Sequence, residues 1–183
     1  VTRSGTVKRL PANTLKNLRN NGIRALRMDE GDQLIAVRET DGQQRILIAT
    51  HDGMAICFLE NDVRCMGRDA CGVRGINLRP GDYVIGAARA KYDHQVLMVT
   101  ENGYGKRTAV EAYLRGEDRQ PQTRGGKGLR NYRLTEKTGL VAGAAIVDDT
   151  NDVMLIESGG VVLRTPAASI NLYGRDTQGV ILM

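Results

Sequence analysis

The residues best suited to chemistry form one glycine-rich, basic heptapeptide in the second half of the chain. Its sequence is Gln122-Thr123-Arg124-Gly125-Gly126-Lys127-Gly128. Glycines lack a β-carbon, so backbone N–H groups can approach a phosphate closely here, while Arg124 and Lys127 can add charge-assisted hydrogen bonds. The segment lacks the Gly-x4-Gly-Lys-Ser/Thr frame of a nucleotide-binding P-loop. On spacing alone, a flexible surface loop is an equally good interpretation.

The other reactive side chains favour neither a metal site nor a catalytic site. Cys57, Cys65 and Cys71 lie near His51, but no Cys-x2-Cys pair is present, and structural zinc sites favour such pairs. Buried cysteines in strands are the better interpretation. His51 and the second histidine, His94, have no Ser or Cys nucleophile frame, so no acid–base or nucleophilic catalysis is predicted.

Three aspartates offer carboxylates that a cation can use. Asp148, Asp149 and Asp152 stand close together, at a place where the pattern of apolar runs predicts the tip of a β-hairpin. Acidic residues are common in solvated turns, so a turn is favoured over a cation site. No metal-binding residue and no cofactor is therefore predicted in this segment.

Composition and charge indicate a basic globular protein. The chain has 183 residues, a net charge of +5 and a pI near 9.3, so it should attract polyanions. Six tyrosines, one phenylalanine and no tryptophan weaken a single-stranded nucleic-acid interpretation that depends on base stacking. Three cysteines without a secretory signal favour the cytoplasm. The longest uncharged apolar stretch, Gly139–Val147, falls short of the roughly 20 residues that span a bilayer, so no membrane association is expected.

The charge is not spread evenly but alternates along the chain. Residues 1–28 carry a net charge of +7, residues 29–63 carry −6, and residues 102–137 carry +5. The alternation has a wavelength near 50 residues, which is the range of period expected for repeat architectures.

An internal repeat has the same period as the charge. Hairpin-like cores surround four glycines, and a second apolar segment beginning with glycine follows each core. The hairpin glycines are Gly5, Gly53, Gly103 and Gly160, and the second set is Gly22, Gly72, Gly128 and Gly179. Two sets of anchors in the same order at the same period argue against a chance origin.

The repeat predicts an all-β, propeller-like array of four-stranded blades. Each unit contains about four apolar runs of strand length bounded by Gly, Asp or Asn turns, and Val110–Arg115 is the best candidate for a short helix. The expected units are 1–48, 49–98, 99–155 and a partial unit at 156–183, about three and a half blades of one domain. A tandem of unrelated β-hairpin domains is the alternative.

The basic residues fall in one phase of the repeat, between each hairpin and the next Gly-x-Arg segment. Equivalent parts of successive blades share a rim, so the sequence predicts a band of positive charge that holds a bent duplex through its phosphates. Surface charge that only maintains solubility is the alternative. Arg19 belongs to this phase. The predicted DNA-binding residues are Gln122, Arg124, Gly125, Gly126, Lys127, Gly128, Lys8, Arg9, Arg24, Arg64, Arg68, Arg74, Lys106, Arg107, Arg130, Arg164 and Arg175.

Four features of the sequence resemble a known family, the C-terminal domain of the DNA gyrase A protein. They are the repeat period, the heptapeptide Gln122–Gly128, the segment from Asn102 to Val110 and the segment from Gly174 to Leu182. The heptapeptide matches the family's signature box, Gln-Arg-Arg-Gly-Gly-Lys-Gly, except that Thr123 replaces an arginine. In that family the functional box belongs to the first blade, so a degenerate copy is the alternative here.

The resemblance implies a fold, a function and partners. It implies a β-pinwheel, whose blades exchange a strand and wrap double-stranded DNA so that the enzyme can introduce negative supercoils. The enzyme would be an ATP-dependent type II topoisomerase that uses ATP and Mg²⁺, an A2B2 complex with the gyrase B protein in the bacterial cytoplasm. This segment would itself be non-catalytic, because none of its six tyrosines matches the setting of the family's DNA-cleaving tyrosine. The C-terminal domain of the topoisomerase IV A protein and a protein-interaction propeller are the alternatives.

Overall fold

Short β-strands joined by turns make up the computed structural model, which describes residues 1–17 and 20–183. The strands are β1 Thr6–Val7, β2 Arg45–Thr50, β3 Met54–Leu59, β4 Val73–Arg74, β5 Val84–Arg89, β6 Gln95–Thr100, β7 Tyr104–Ala109, β8 Leu129–Arg130, β9 Val141–Val147, β10 Asp152–Ile156, β11 Val162–Pro166 and β12 Val180–Ile181. Four 3₁₀ turns are described, at Ala12–Leu15, Glu60–Asp62, Val110–Tyr113 and Ala167–Ser169. The all-β prediction is therefore confirmed. Within the described ranges, no helix is long and apolar enough to cross a membrane.

Tight turns with glycine in the left-handed region build the hairpins. Gly53 (φ +73°) turns β2 into β3, and Gly103 (φ +74°) turns β6 into β7. A residue with a β-carbon is strained at such a φ, which explains why the repeat keeps glycine at this point. The apolar runs on either side of each turn then pair as antiparallel strands.

The sheets exchange strands between repeats. Two four-stranded sheets have the orders β5-β2-β3-β8 and β12-β7-β6-β9, and in each the edge strand β8 or β12 comes from the following repeat. In the same way β4 pairs with β1 of the preceding repeat. We refer to the group around β1 as blade 1, to β2, β3 and β5 as blade 2, to β6, β7 and β9 as blade 3, and to β10 and β11 as blade 4. This exchange confirms the pinwheel-like, four-stranded architecture and excludes independent hairpin domains.

Each exchanged strand belongs to a segment that we call a connector. The connectors of blades 2, 3 and 4 are residues 60–74, 114–130 and 167–181, and each lies on the hairpin strand of the preceding blade. An exchange glycine enters each of the three strands: Gly72, Gly128 and Gly179, all with positive φ. A β-carbon at Gly128 would overlap the Ala55 carbonyl oxygen, so backbone packs directly on backbone at this point.

The apolar core lies between the blades rather than inside each one. In β2, Leu47 and Ala49 pack towards blade 3, whereas Ile48 on the opposite face packs towards blade 1. A third cluster, which includes Leu97 and Val153, joins blades 3 and 4. Because the central strands are buried on both faces, their sequences read as continuous apolar runs instead of alternating ones.

The exchange glycine should be more sensitive to substitution than a glycine in open space. We expect Gly128→Ala to lower the free energy of unfolding by at least about 2 kcal/mol, since the new methyl group meets a carbonyl and the backbone φ is unfavourable. Gly67→Ala, where nothing would lie within 4 Å of the new carbon, is the control. Urea unfolding of the two variants checks the difference, and equal stabilities would contradict the close packing.

Candidate nucleic-acid interface

One backbone hydrogen bond recurs at each of the three junctions that the structure describes and brings equivalent residues to equivalent places. In each case the backbone N–H of the residue six positions before the exchange glycine donates to a backbone carbonyl oxygen in the hairpin of the preceding blade. The pairs are Met66 to Arg9 O (2.9 Å), Gln122 to Cys57 O (2.8 Å) and Tyr173 to Arg107 O (2.8 Å). The three connectors can therefore be compared position by position.

The glycine-rich heptapeptide forms the last part of the blade 3 connector, and we call it the box loop. The Gly125 N–H donates to Gly75 O at 2.6 Å, and Gly126 O accepts from the Asn77 N–H at 2.9 Å. The loop thus lies against the chain that follows β4 of blade 2. The Gly125 N–H is therefore already used within the protein, and phosphate contacts by the glycines of this loop stay a prediction.

Within the box loop, the two cationic side chains have different surroundings. Arg124 is half-buried; its Nε donates to Asp62 O at 2.7 Å and its Nη1 to Arg74 O at 3.1 Å. Lys127 is exposed, whereas Gln122 is buried. Lys127 is therefore free to meet a phosphate, while the guanidinium of Arg124 is engaged with two backbone carbonyls.

Lys106 and Arg107 are buried and engaged within the protein, unlike the exposed band on which the sequence predicts them to contact phosphates. Lys106 is 0% exposed, and its Nζ donates to Gly174 O at 2.7 Å, to Thr177 Oγ1 at 3.1 Å and to the Arg175 carbonyl. Burial lowers the pKa of Lys106 to about 7. Arg107 is 7% exposed; it donates to carbonyls of the blade 4 connector and pairs with the Asp149 carboxylate.

Lys8 and Arg9 have the same role at the junction of blades 1 and 2. The Lys8 Nζ donates to Arg68 O at 2.6 Å and to Ala70 O at 2.9 Å, both in the blade 2 connector. Arg9 pairs with Glu60 at 3.5 Å and is half-buried. We call Lys8, Arg9, Lys106 and Arg107 the latch residues, because each joins a hairpin strand to the next blade's connector.

The remaining predicted arginines differ in how free their charge is. Arg164 is exposed but donates to Asp152 across the β10–β11 hairpin, at 2.9 Å from Nε. Arg175 is half-buried, with its Nη1 3.0 Å from Arg130 O. The exposed basic residues of the predicted set that lie in or near the connectors are Arg24, Arg64, Arg68, Arg74, Lys127 and Arg130. Arg19 lies outside the described residues.

Arg74, Lys127 and Arg130 form a stretch of exposed charge that we call the junction stripe. The Arg124 guanidinium donates to Arg74 O and the Gly125 N–H donates to Gly75 O, so the loop that carries Lys127 and leads to Arg130 lies against the backbone at Arg74. The Arg130 guanidinium also lies 3.5 Å from the Asp176 carboxylate. Both side chains are exposed, so this ion pair is weak and leaves the Arg130 charge accessible.

Sequence reasoning missed Arg133 and Asp176, which adjoin this stripe. Arg133 is exposed and its Nε lies 3.5 Å from Asp176. Asp176 could have been found by aligning the three connectors position by position. Three residues before the exchange glycine they have Asp69, Gly125 and Asp176. The box loop therefore has glycine where the other two connectors have an acid.

The cysteines and aspartates form no metal site in the part of the chain that the structure describes. There, no three His, Cys, Asp or Glu side chains come together in a way that could hold a metal ion. Cys57 is buried, and burial raises the pKa of its thiol to about 11, whereas Cys65 and Cys71 are exposed. Asp148 accepts hydrogen bonds from Thr150 in its own turn, and these bonds lower the pKa of its carboxyl.

Comparison with known proteins adds sequence evidence to this geometry. The family model described as the DNA gyrase C-terminal domain, beta-propeller, matches residues 1–41, 44–91, 94–116, 119–148 and 151–183. The chain belongs to the DNA gyrase C-terminal domain family. The resemblance drawn from the repeat and the heptapeptide is thus confirmed.

Relatives of this gyrase-family domain cover its whole length. The chain is 40% identical over 182 residues to the DNA gyrase A protein of Escherichia coli (strain K12) and 42% identical over 184 residues to that of Staphylococcus aureus (strain MRSA252). Each match covers 100% of this chain and 20% of the relative, so the chain spans one fifth of their length.

Solved structures show the same fold. The C-terminal domain of DNA topoisomerase IV matches with a TM-score of 0.91 and 25% identity, covering 100% of this chain and 56% of that one. A DNA gyrase A C-terminal domain matches with a TM-score of 0.85 and 26% identity, covering 100% and 60%. The fold is therefore common to both topoisomerase types, whereas the curated relatives above are gyrase A proteins.

The buried latch residue Lys106 should make the stability of this gyrase-family domain depend on pH. Its pKa is about 7 when folded and near 10.5 when unfolded, so between these values the unfolded chain binds more protons. Raising the pH from about 7 to about 9.5 should therefore stabilise the fold. The Lys106→Met variant lacks this titrating group. Its melting temperature should therefore rise less than that of the unmodified domain over the same pH interval. Parallel pH dependences of the two proteins would contradict the lowered pKa.

Proposed function

We propose that this chain binds double-stranded DNA through phosphates along its blade junctions and wraps it for a DNA gyrase. Family membership supports the enzyme class, and the exposed junction stripe supports the binding mode. Guanidinium and ammonium groups neutralise phosphates without reading bases, so the binding is independent of sequence.

The observation that carries the proposal is the charge of the junction between blades 2 and 3, which holds the box loop and which we call the box junction, compared with the charge of the other two described junctions. From four residues before the exchange glycine to two residues after it, the blade 3 connector contributes Arg124, Lys127 and Arg130 and no acid. The blade 2 and blade 4 connectors each have an aspartate there and lack a residue equivalent to Lys127. The box loop thus makes one junction the most positive point in an otherwise repeated frame, where a duplex is held most firmly.

Because exposed arginines recur at equivalent positions of successive repeats, a duplex can be bound along several blades and so be wrapped. Arg24, Arg74 and Arg130 all stand two residues after a glycine of the second repeated set, and all are exposed. A duplex that meets each of these in turn follows the succession of blades and has to bend. Bending costs the duplex a few kcal/mol, which the added phosphate contacts offset.

The larger assembly follows from the gyrase assignment. The chain acts within a gyrase A protein that pairs with the gyrase B protein in an A2B2 complex, and the complex uses ATP and Mg²⁺ in the bacterial cytoplasm. The segment itself does no bond chemistry; it presents DNA with a handed crossing. The box loop and the gyrase relatives favour this assignment over a topoisomerase IV protein.

Binding should depend steeply on salt and little on sequence. If about five to eight phosphates are neutralised, log K against log salt should have a slope of about −4.5 to −7. Titration of unrelated duplexes between about 50 and 200 mM salt measures it. A flat salt dependence would instead favour a protein-interaction role, and a strong preference for one duplex would contradict phosphate binding.

The junction stripe should contribute more to DNA binding than the β5 edge of the blade 2 sheet. Arg74→Ala with Lys127→Ala removes two phosphate contacts, so the slope should become about 1.8 shallower. Arg89→Ala with Lys91→Ala is the matched control, because both residues are exposed and lie at the end of β5, the edge opposite β8. An equal effect of the two double variants would show that the stripe is not the binding surface.

In the intact enzyme, the same stripe variant should separate two activities. Negative supercoiling needs a wrapped duplex, whereas relaxation of supercoiled DNA needs only strand passage. Arg74→Ala with Lys127→Ala should therefore lower supercoiling more than relaxation, and the Arg89/Lys91 control should lower neither. Agarose-gel assays of both reactions decide, and a parallel loss of both activities would contradict a role in wrapping.

A further inference from the structure

The hairpin position three residues after the turn glycine is not the same at the three described junctions. That position holds Lys8 in blade 1, Ile56 in blade 2 and Lys106 in blade 3. The two lysines make the same contact, because each Nζ donates to the carbonyl of the arginine four residues before the next exchange glycine, Arg68 or Arg175. A lysine thus fixes the connector wherever it is present.

The junction of blades 2 and 3 has no such lysine, and its arginine makes one more contact to the preceding connector than the equivalent Arg175 does. Ile56 is 0% exposed, belongs to the apolar core and has no group that can hold a carbonyl. The next hairpin residue is Cys57, where the neighbouring blades have the latch arginines Arg9 and Arg107. Arg124, the equivalent of Arg175, makes the same Nη1 contact to the preceding connector, to Arg74 O where Arg175 donates to Arg130 O, and adds a second contact from Nε to Asp62 O.

We infer that Arg124 is a positioning residue that replaces the missing lysine latch, and not a phosphate ligand. It holds the box loop against the blade 2 connector, so that Lys127 stands beside Arg74 on a continuous path for the duplex. Lys127 and Arg74 make the phosphate contacts. This inference rests on the proposed DNA wrapping and assigns different tasks to the two cations of the box loop.

The chemistry of the contacts supports this division. A guanidinium presents several N–H groups in a fixed fork, so one arginine can donate to two carbonyls that lie in different directions. Both acceptors are backbone atoms of the protein, at 2.7 and 3.1 Å. Turning the guanidinium towards a phosphate would leave both carbonyls without this donor, whereas exposed Lys127 can bind a phosphate without breaking a contact of this kind.

The test uses the full-length gyrase A protein that contains this chain, assembled with its gyrase B partner. Lys127→Ala should make the slope of log K against log salt shallower by about 0.9, the value of one phosphate contact. Arg124→Ala should leave that slope unchanged but reduce the handed linking-number change trapped when nicked circles are ligated on the protein. The duplex is still bound, but it no longer follows successive blades in register.

Two further variants separate positioning from simple structural loss. Arg124→Ala combined with Ile56→Lys supplies an ammonium at the position used by Lys8 and Lys106, and it should restore the linking-number change. Arg124→Lys keeps the positive charge but replaces the two nitrogens that reach the two carbonyls, Nε and Nη1, by a single terminal nitrogen, so it should behave like Arg124→Ala. If a variant does not fold, as judged by its melting transition, Arg124→Lys alone decides.

Distinct results would overturn the inference and the proposed function. A shallower slope for Arg124→Ala with a normal slope and normal wrapping for Arg124→Lys would make Arg124 a phosphate ligand, and the inference would be wrong. Folded Arg124 variants with unchanged wrapping would also overturn it. An unmodified enzyme that shows neither salt-dependent binding nor a linking-number change would instead overturn the DNA-wrapping function itself.

Discussion

The rest of the structure depends on one backbone interaction, the docking of each connector on the hairpin strand of the preceding blade. The hydrogen bond from Gln122 to Cys57 and its equivalents at the other two junctions fix the register of this docking. Exchange glycines such as Gly128 let the two backbones approach as closely as the register demands. Because blades 2, 3 and 4 each lend the preceding blade an edge strand, the described array holds together without a large core in any single blade.

That docking also sorts the basic residues into two classes. On the hairpin strand, Lys106 and Arg107 are buried and donate to carbonyls of the incoming connector. A side chain just beyond the exchange glycine, such as Arg74 or Arg130, points to solvent. Some positive charges therefore maintain the spacing between blades, while others remain available to a polyanion. The box junction differs because it lacks the buried lysine and carries the most exposed charge.

The sequence predicts the fold well because glycine spacing and apolar runs are local signals of turns and strands. The same local signals show that the basic residues fall in one part of each repeat, between the hairpin and the next glycine anchor. It does not separate Lys106 from Lys127, since both are lysines near a glycine in the basic phase and only the strand exchange decides which of them is covered. The role of Ile56 is also hidden, because an isoleucine in a strand has meaning only beside Lys8 and Lys106 at the equivalent positions.

The most direct measurement of the central claim is an experimental structure of the full-length gyrase A protein bound to a duplex. The claim is that the junctions between blades, and not the blade faces, hold the DNA. Phosphates should then lie within hydrogen-bond distance of Arg74, Lys127 and Arg130, while Lys106 keeps its carbonyl partners. A duplex that lies along the far edge of the sheet, at Arg89, and leaves the box loop exposed to solvent would contradict the claim.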